Sequence, residues 1–110
     1  MRYVGVDTPE LGRAGKPAQC FASESAQIHS ALVTGKRVRL EKDRSNRDRY
    51  GRLLRFVYLE DGTFVNAHLV REGAARASAY RPDLSKKREF EQLEAQARAE
   101  GKGRWGACLN

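Results

Sequence analysis

What this sequence has little of narrows the field before any motif is read. Its 110 residues hold two cysteines, two histidines, one tryptophan and three prolines. Cys20 and Cys108 sit near opposite ends with no CxxC spacing, and His29 and His68 are the only imidazoles, which argues against a structural zinc site. Two readings of the cysteines stay open: unpaired small core residues, or one bridge closing a long loop. By the chain-entropy argument such a bridge adds on the order of 4 kcal/mol in an oxidising compartment. No apolar run approaches the ~20 residues of a spanning helix. There is no glycine-rich phosphate loop, no Ser-His-Asp set and no low-complexity tract. Acidic residues are in deficit, 14 Asp+Glu against 21 Lys+Arg, for a net charge of +7. Such an excess attracts polyanions, although a solvated basic surface accounts for it equally well.

What is present reads as one domain over residues 1–110, 40% hydrophobic and 32% charged. Arg2 to Val6 alternates as a strand, followed by a polar loop through Gly12, Gly15 and Pro17. Ser23 is placed to cap a helix over Glu24 to Val33, with Ala26, Ile28, Leu32 and Val33 as core contacts and Gly35 as its stop. Lys36 to Glu41 is expected as a half-buried strand with Val38 and Leu40 inward, and Gly51 to Leu59 as the next strand. Glu60-Asp61-Gly62 turns into a short strand over Thr63 to Val65. Asn66 is expected to cap a helix that Gly73 closes. Ala74 to Tyr80 returns extended. A last helix, Lys86 to Glu100, sets Phe90, Leu93 and Ala97 on one stripe, and Trp105 packs back near Cys108. Short antiparallel strands with helices inserted and appended make a small β-barrel of α+β type. Its first strand has no hairpin partner before it, so the barrel edge is open and preceding sequence is expected to be missing.

The chemistry gathers at strand ends. In V-D-T-P-E, Asp7 and Glu10 flank Thr8 and Pro9; two carboxylates and a carbonyl suit a hard cation, or one ligand beside one general base. Taken alone, DTPE reads more readily as a loop in which Asp7 caps a turn and Glu10 is solvated. Arg52 opens a strand after Gly51, and Arg2 lies on the first strand. Two guanidiniums bind the nonbridging oxygens of a phosphodiester as forks, and a carboxylate nearby orients or deprotonates the attacking water. Tyr50 and Tyr80 are placed to stack on a base or bond a phosphate.

With these stretches in view, the chain resembles the staphylococcal nuclease (thermonuclease) family nearly end to end. The likeness rests on RYVGVDTPE, ESAQIHSALVTGKRVRLEKD, DRYGRLLRFVYLEDGTFVNAHLVREGAA, YRPD and EFEQLEAQARAEGKGRWGAC. The resemblance implies an α+β, mainly β fold: an OB-fold five-stranded barrel with three helices, here lacking its first one or two strands. It implies a Ca²⁺-dependent endonuclease of DNA and RNA, single strands favoured, leaving 3′-phosphates. A nuclease-like domain that binds nucleic acid or protein without cutting is the alternative.

Matched residue by residue, Arg2 and Arg52 take the positions of the phosphate-binding arginines, and Glu10 that of the proposed general base. Asp7 and the Thr8 carbonyl match calcium ligands. Arg49, Tyr50 and Tyr80 match nucleotide contacts. Cys20 and Cys108 fit a bridge between helix start and tail found in bacterial relatives. A monomer, secreted or periplasmic, with its signal region upstream, is expected. The family's preceding hairpin, with a D-G-D-T-like turn carrying a further calcium-ligand aspartate, is not in the sequence; Asp43, Asp48 and Asp61 fall elsewhere. The stretch before Tyr80 is one residue short, with Ser78 or Ala79 where a second tyrosine is expected.

Overall fold

The computed structural model describes residues 1–108. Its elements run β1 (Arg2–Tyr3), β2 (Val6–Asp7), α1 (Ala22–Val33), β3 (Val38–Glu41), β4 (Leu54–Leu59), α2 (Val65–Arg71), β5 (Arg76–Ala77), α3 (Lys87–Glu100) and α4 (Arg104–Ala107). The expected first strand is in fact two. Gly5 takes φ +78° and bends the chain so that β1 pairs parallel with β4 while β2 pairs antiparallel with β5. A side chain at Gly5 would meet the Phe90 ring at 2.7 Å, so glycine serves both the bend and the close approach.

Two sheets result, β1-β4-β3 and β2-β5; no closed barrel forms among the described residues. The core lies between them and the helices: Val4, Val6, Phe56, Val57, Leu59, Val65, Leu69, Val70 and Phe90 are all buried. Phe90 meets Phe56 and Phe64 with ring centroids 6.4 and 5.7 Å apart, a geometry that aromatic quadrupoles favour.

Several local expectations are corrected. Val38 and Leu40 face outward, 42% and 44% exposed, because β3 pairs along one edge only, with β4, and nothing among the described residues covers its apolar face. The helix α1 starts at Ala22 behind Phe21 in a left-handed conformation, with no side-chain cap, so Ser23 lies inside its first turn. Ala26 is exposed, whereas Ile28, Leu32 and Val33 pack against the core.

Residues Thr63 to Val65 do not form a strand. One bridge, Tyr58 to Phe64, is all that pairs there, and α2 begins at Val65. Asn66 is not its cap. Its amide is buried and spent on tertiary bonds, accepting from Val57 N–H at 2.9 Å and donating to the Val4 carbonyl at 2.9 Å. A fourth, one-turn helix, α4, carries Trp105 between the Arg98 and Arg104 guanidiniums, 4.0 and 5.0 Å from its ring centroid.

Other expectations hold. Gly73 at φ +74° follows the end of α2, and Gly101 at φ +64° caps α3, both as the C-terminal glycine rule requires. The α3 stripe buries Phe90 and Ala97, with Leu93 beside them. Cys20 and Cys108 form a disulfide that ties the start of α1 to the end of α4.

Candidate functional site

Arg2 and Arg52 come together because β1 lies alongside the start of β4: Arg2 N–H donates to the Leu53 carbonyl at 2.7 Å, and Arg2 pairs in register with Leu54. Residues fifty positions apart are thereby set side by side at the end of one sheet. Two clefts meet there. One, of about 540 Å³, is lined by Arg2, Thr8, Glu10 and Arg52 together with Tyr3 and His29. The other, of about 660 Å³, is lined by Arg2, Arg49, Tyr50, Arg52 and Tyr80, with Arg47 and Arg81 also on its wall. Arg2 and Arg52 are the only residues common to both linings. Every candidate phosphate, general-base and nucleotide residue from the sequence therefore lines one cleft or the other; of the two candidate metal ligands Thr8 does and Asp7 does not.

Arg52 is held in place. Its Nε donates to Asp48 Oδ2 at 2.7 Å and its backbone N–H to Asp48 Oδ1 at 2.9 Å, while Tyr50 N–H donates to the same oxygen at 2.9 Å. Burial pushes the Asp48 carboxyl up, but these N–H donors and the Arg52 charge outweigh it and hold it below its ordinary value. Asp48 stays ionised and fixes the guanidinium through a bond between charged partners. The Tyr50 ring, 69% exposed, has Arg49 and Arg52 stacked at 5.0 and 5.5 Å from its centroid. Tyr80 is equally open at 68%.

The far wall of the larger cleft is pinned by reciprocal carboxylates. Asp83 accepts from Arg44 and Ser45 N–H at 2.9 and 2.8 Å, and Asp43 accepts from the Ser85 hydroxyl at 2.8 Å. Burial raises the Asp83 carboxyl, and the Ser45 and Arg44 donors more than offset it, so the net displacement is downward. The charged loop before Tyr50 and the segment after Tyr80 are thus held against each other.

At the metal position the donors fall short. Asp7 Oδ2 accepts from Arg76 Nε and Nη2 at 3.2 and 3.1 Å across the β2–β5 ladder. No three His, Cys, Asp or Glu side chains cluster to hold a cation among the described residues. A calcium ion takes six to eight oxygens; the Asp7 carboxylate and the Thr8 backbone carbonyl offer three at most, and Asp7 is already paired with Arg76. The residues present do not form a calcium site, and no step is built on one. Glu10 is exposed, with its loop fixed by Gln19: Glu10 N–H donates to Gln19 Oε1 at 2.8 Å and Gln19 N–H to the Glu10 carbonyl at 2.9 Å.

The sequence reading missed Asp48, Arg76, Arg47 and Arg81. Asp48 stands four residues before Arg52, a spacing at which a turn brings two side chains together, and that signal was available. Arg76 carried none, because its partner lies 69 positions away.

Arginines line both clefts, Arg2, Arg13 and Arg52 with Glu10 in the smaller and Arg2, Arg47, Arg49, Arg52 and Arg81 in the larger. In the smaller, burial raises the Tyr3 phenol and lowers the His29 imidazole.

Known proteins resemble the chain over nearly its whole length. The family model described as staphylococcal nuclease homologue matches residues 1–107. The chain is similar to the thermonuclease of Staphylococcus hyicus, 39% identical over 105 residues that cover 96% of this chain and 62% of that protein. It is 37% identical to the Staphylococcus intermedius thermonuclease over the same shares of each. Endonuclease YncB of Bacillus subtilis is 35% identical over 107 residues, 96% of this chain and 50% of that protein. The chain thus spans less than two thirds of the length of these relatives. No helix among the described residues is long and apolar enough to cross a membrane. On the match over 107 of its residues, the chain belongs to the staphylococcal nuclease family.

Proposed function

We propose that this chain is the phosphate-binding and cutting part of an endonuclease that hydrolyses internal phosphodiester bonds of DNA and RNA, single strands favoured, leaving 3′-phosphates. The observation that carries the reading is the pair Arg2 and Arg52 at the junction of two clefts, with Glu10 lining one of them. Guanidinium forks on the nonbridging oxygens gain most when charge builds there, so they stabilise the transition state more than the substrate. Glu10 takes a proton from the attacking water as its oxygen bonds to phosphorus. The P–O5′ bond breaks, and the leaving oxygen takes a proton from solvent to give a 5′-hydroxyl. Arg49, Tyr50 and Tyr80 hold the neighbouring nucleotide by charge and stacking.

The calcium requirement that goes with this reading is not met by Asp7, Thr8 and Glu10 as they stand, and the Asp7–Arg76 pair favours a second reading on that point. In it, the chain is a nuclease-like module that binds nucleic acid without cutting. An oxidising location, secreted or periplasmic, is supported by the disulfide, and a monomer is the working state.

One substitution separates the two readings. Arg52→Ala is expected to lower turnover of denatured DNA by about a hundredfold or more, since one donor to a developing oxyanion is worth about that. Binding of the same DNA, measured by fluorescence anisotropy, should weaken only severalfold. Equal turnover by variant and parent would sink the proposal, and binding with no turnover by the parent, with or without calcium, would establish the module.

A further inference from the structure

Glu10 stands on a loop that burial does not hold. Every residue from Glu10 to Cys20 is exposed, so apolar packing does not fix where the carboxylate stands. Hydrogen bonds do, and they converge on one residue. The Glu10 N–H donates to Gln19 Oε1 at 2.8 Å, and the Glu10 carbonyl accepts from the Gln19 N–H at 2.9 Å. Both main-chain polar groups of Glu10 therefore go to Gln19. Between them the loop closes as a small hairpin. Arg13 and Lys16 exchange two bonds, at 3.0 and 2.8 Å, and a side chain at Gly12 would meet the Ala18 nitrogen at 2.8 Å.

Gln19 is held from its other side. Its carbonyl accepts from the N–H of Ala22, the first residue of α1, at 3.1 Å. Its neighbour Cys20 is bonded to Cys108, 88 residues on, at the end of α4. Exposed hydrogen bonds contribute little net, because water competes for both partners. A covalent tie one residue away keeps those partners close enough to re-form whenever they open. None of these bonds touches β1.

Resting on the reading of Glu10 as the base, we propose that Gln19 is its positioning residue, and that the Cys20–Cys108 bridge, by fixing Gln19, makes turnover depend on an oxidised protein. Reduction by a dithiol gives the bridge two electrons and two protons; two cysteine thiols form and the dithiol becomes a disulfide. The Glu10 loop then loses its anchor, while the arginines that bind phosphate keep theirs.

The test uses the whole chain on denatured DNA, at a temperature where circular dichroism shows every variant folded. Gln19→Ala should lower kcat about tenfold or more, within the hundredfold that a misplacement near 1 Å costs, and leave DNA affinity by fluorescence anisotropy unchanged. Gln19→Glu keeps an acceptor oxygen at the same reach and should restore most of the rate. In a Glu10→Gln background the base is already lost, so Gln19→Ala or reduction with dithiothreitol should cost nothing further. A general loss of structure would not produce that non-additivity. Exchange of the Glu10 amide proton reads the anchoring without turnover. It should quicken about fivefold in Gln19→Ala and in the reduced parent, the size of one hydrogen bond. Equal kcat for Gln19→Ala and parent, or a loss that simply adds to that of Glu10→Gln, overturns the positioning role and leaves the nuclease reading standing. Full turnover by a parent reduced to two free thiols overturns the part given to the bridge. Glu10→Gln cutting as fast as the parent overturns the base reading itself, and the catalytic role of Gln19 with it.

Discussion

At the scale of single residues, the site depends on groups that hold other groups. Asp48 touches Arg52 through side chain and backbone, at 2.7 and 2.9 Å, so it sets where the guanidinium points. Asp48→Asn keeps one acceptor oxygen and removes the charge. Turnover is expected to fall about ten- to a hundredfold, the size of effect that follows a misplacement near 1 Å, with KM changed less. Steady-state kinetics on denatured DNA would check this, and an unchanged kcat would mean that Arg52 needs no such support.

His29 carries a pH signature. Its folded-state pKa lies below the ordinary 6.5 because burial disfavours the imidazolium. The stability this neutral ring supports is therefore present above pH 6.5 and lost as pH falls through the folded value. The thermal midpoint should drop between pH 7 and pH 5, and His29→Phe should remove that step. Tyr3 lies beside it, and Arg2, Glu10, Arg13 and Arg52 are charged groups around the same cleft. Asp48 and Asp83, both displaced downward, add a second loss only below their ordinary 3.8.

At the scale of elements, one buried amide joins three of them. Asn66 on α2 bonds Val57 on β4 and Val4 in the bend between β1 and β2. Asn66→Ala leaves a buried N–H and a buried carbonyl unpaired, each worth ~1–3 kcal/mol. A loss of ~2–4 kcal/mol in urea unfolding is expected, and a cost below ~1 kcal/mol, the worth of an ordinary helix cap, would contradict the cross-link. Asn66 also shows where local reading stops. An asparagine after a turn and before an apolar run matches a cap by every nearby signal; its actual partners lie 9 and 62 residues away. The same holds for β3, where alternation showed that Val38 and Leu40 share a face but not what lies over it. The ends of α2 and α3 were legible because a glycine with positive φ closes a helix without help from elsewhere.

At the scale of the whole molecule, the Cys20–Cys108 bridge spans 88 residues and joins the entrance of α1 to the last turn. Closing so long a loop contributes ~4 kcal/mol in the chain-entropy account, a large part of the ~5–15 kcal/mol of a typical domain. Cys20→Ser with Cys108→Ser should lower the urea midpoint accordingly and raise the m-value, because the unfolded chain without its cross-link expands and exposes more surface. A midpoint that did not move would mean that the unfolded chain is already compact. Binding to polyanions should fall with salt, as the +7 net charge requires.

The sequence by itself determined the family, through V-D-T-P-E and D-R-Y-G-R at their separation, and the helices whose stripes and glycine stops are local features. It also supplied the residue types of the proposed phosphate site. Only the tertiary structure decided that the first strand divides at Gly5 between two sheets, that Arg76 faces Asp7, and that Tyr3 meets His29. It alone set Arg2 and Arg52 between two clefts. The reason is physical: propensities, caps and periodicities act over a few residues, whereas these pairings, from Tyr3 with His29 to Asp7 with Arg76, join segments 26 or more positions apart. Such contacts form only when the core around Phe90, Leu69 and Asn66 closes and fixes which faces meet.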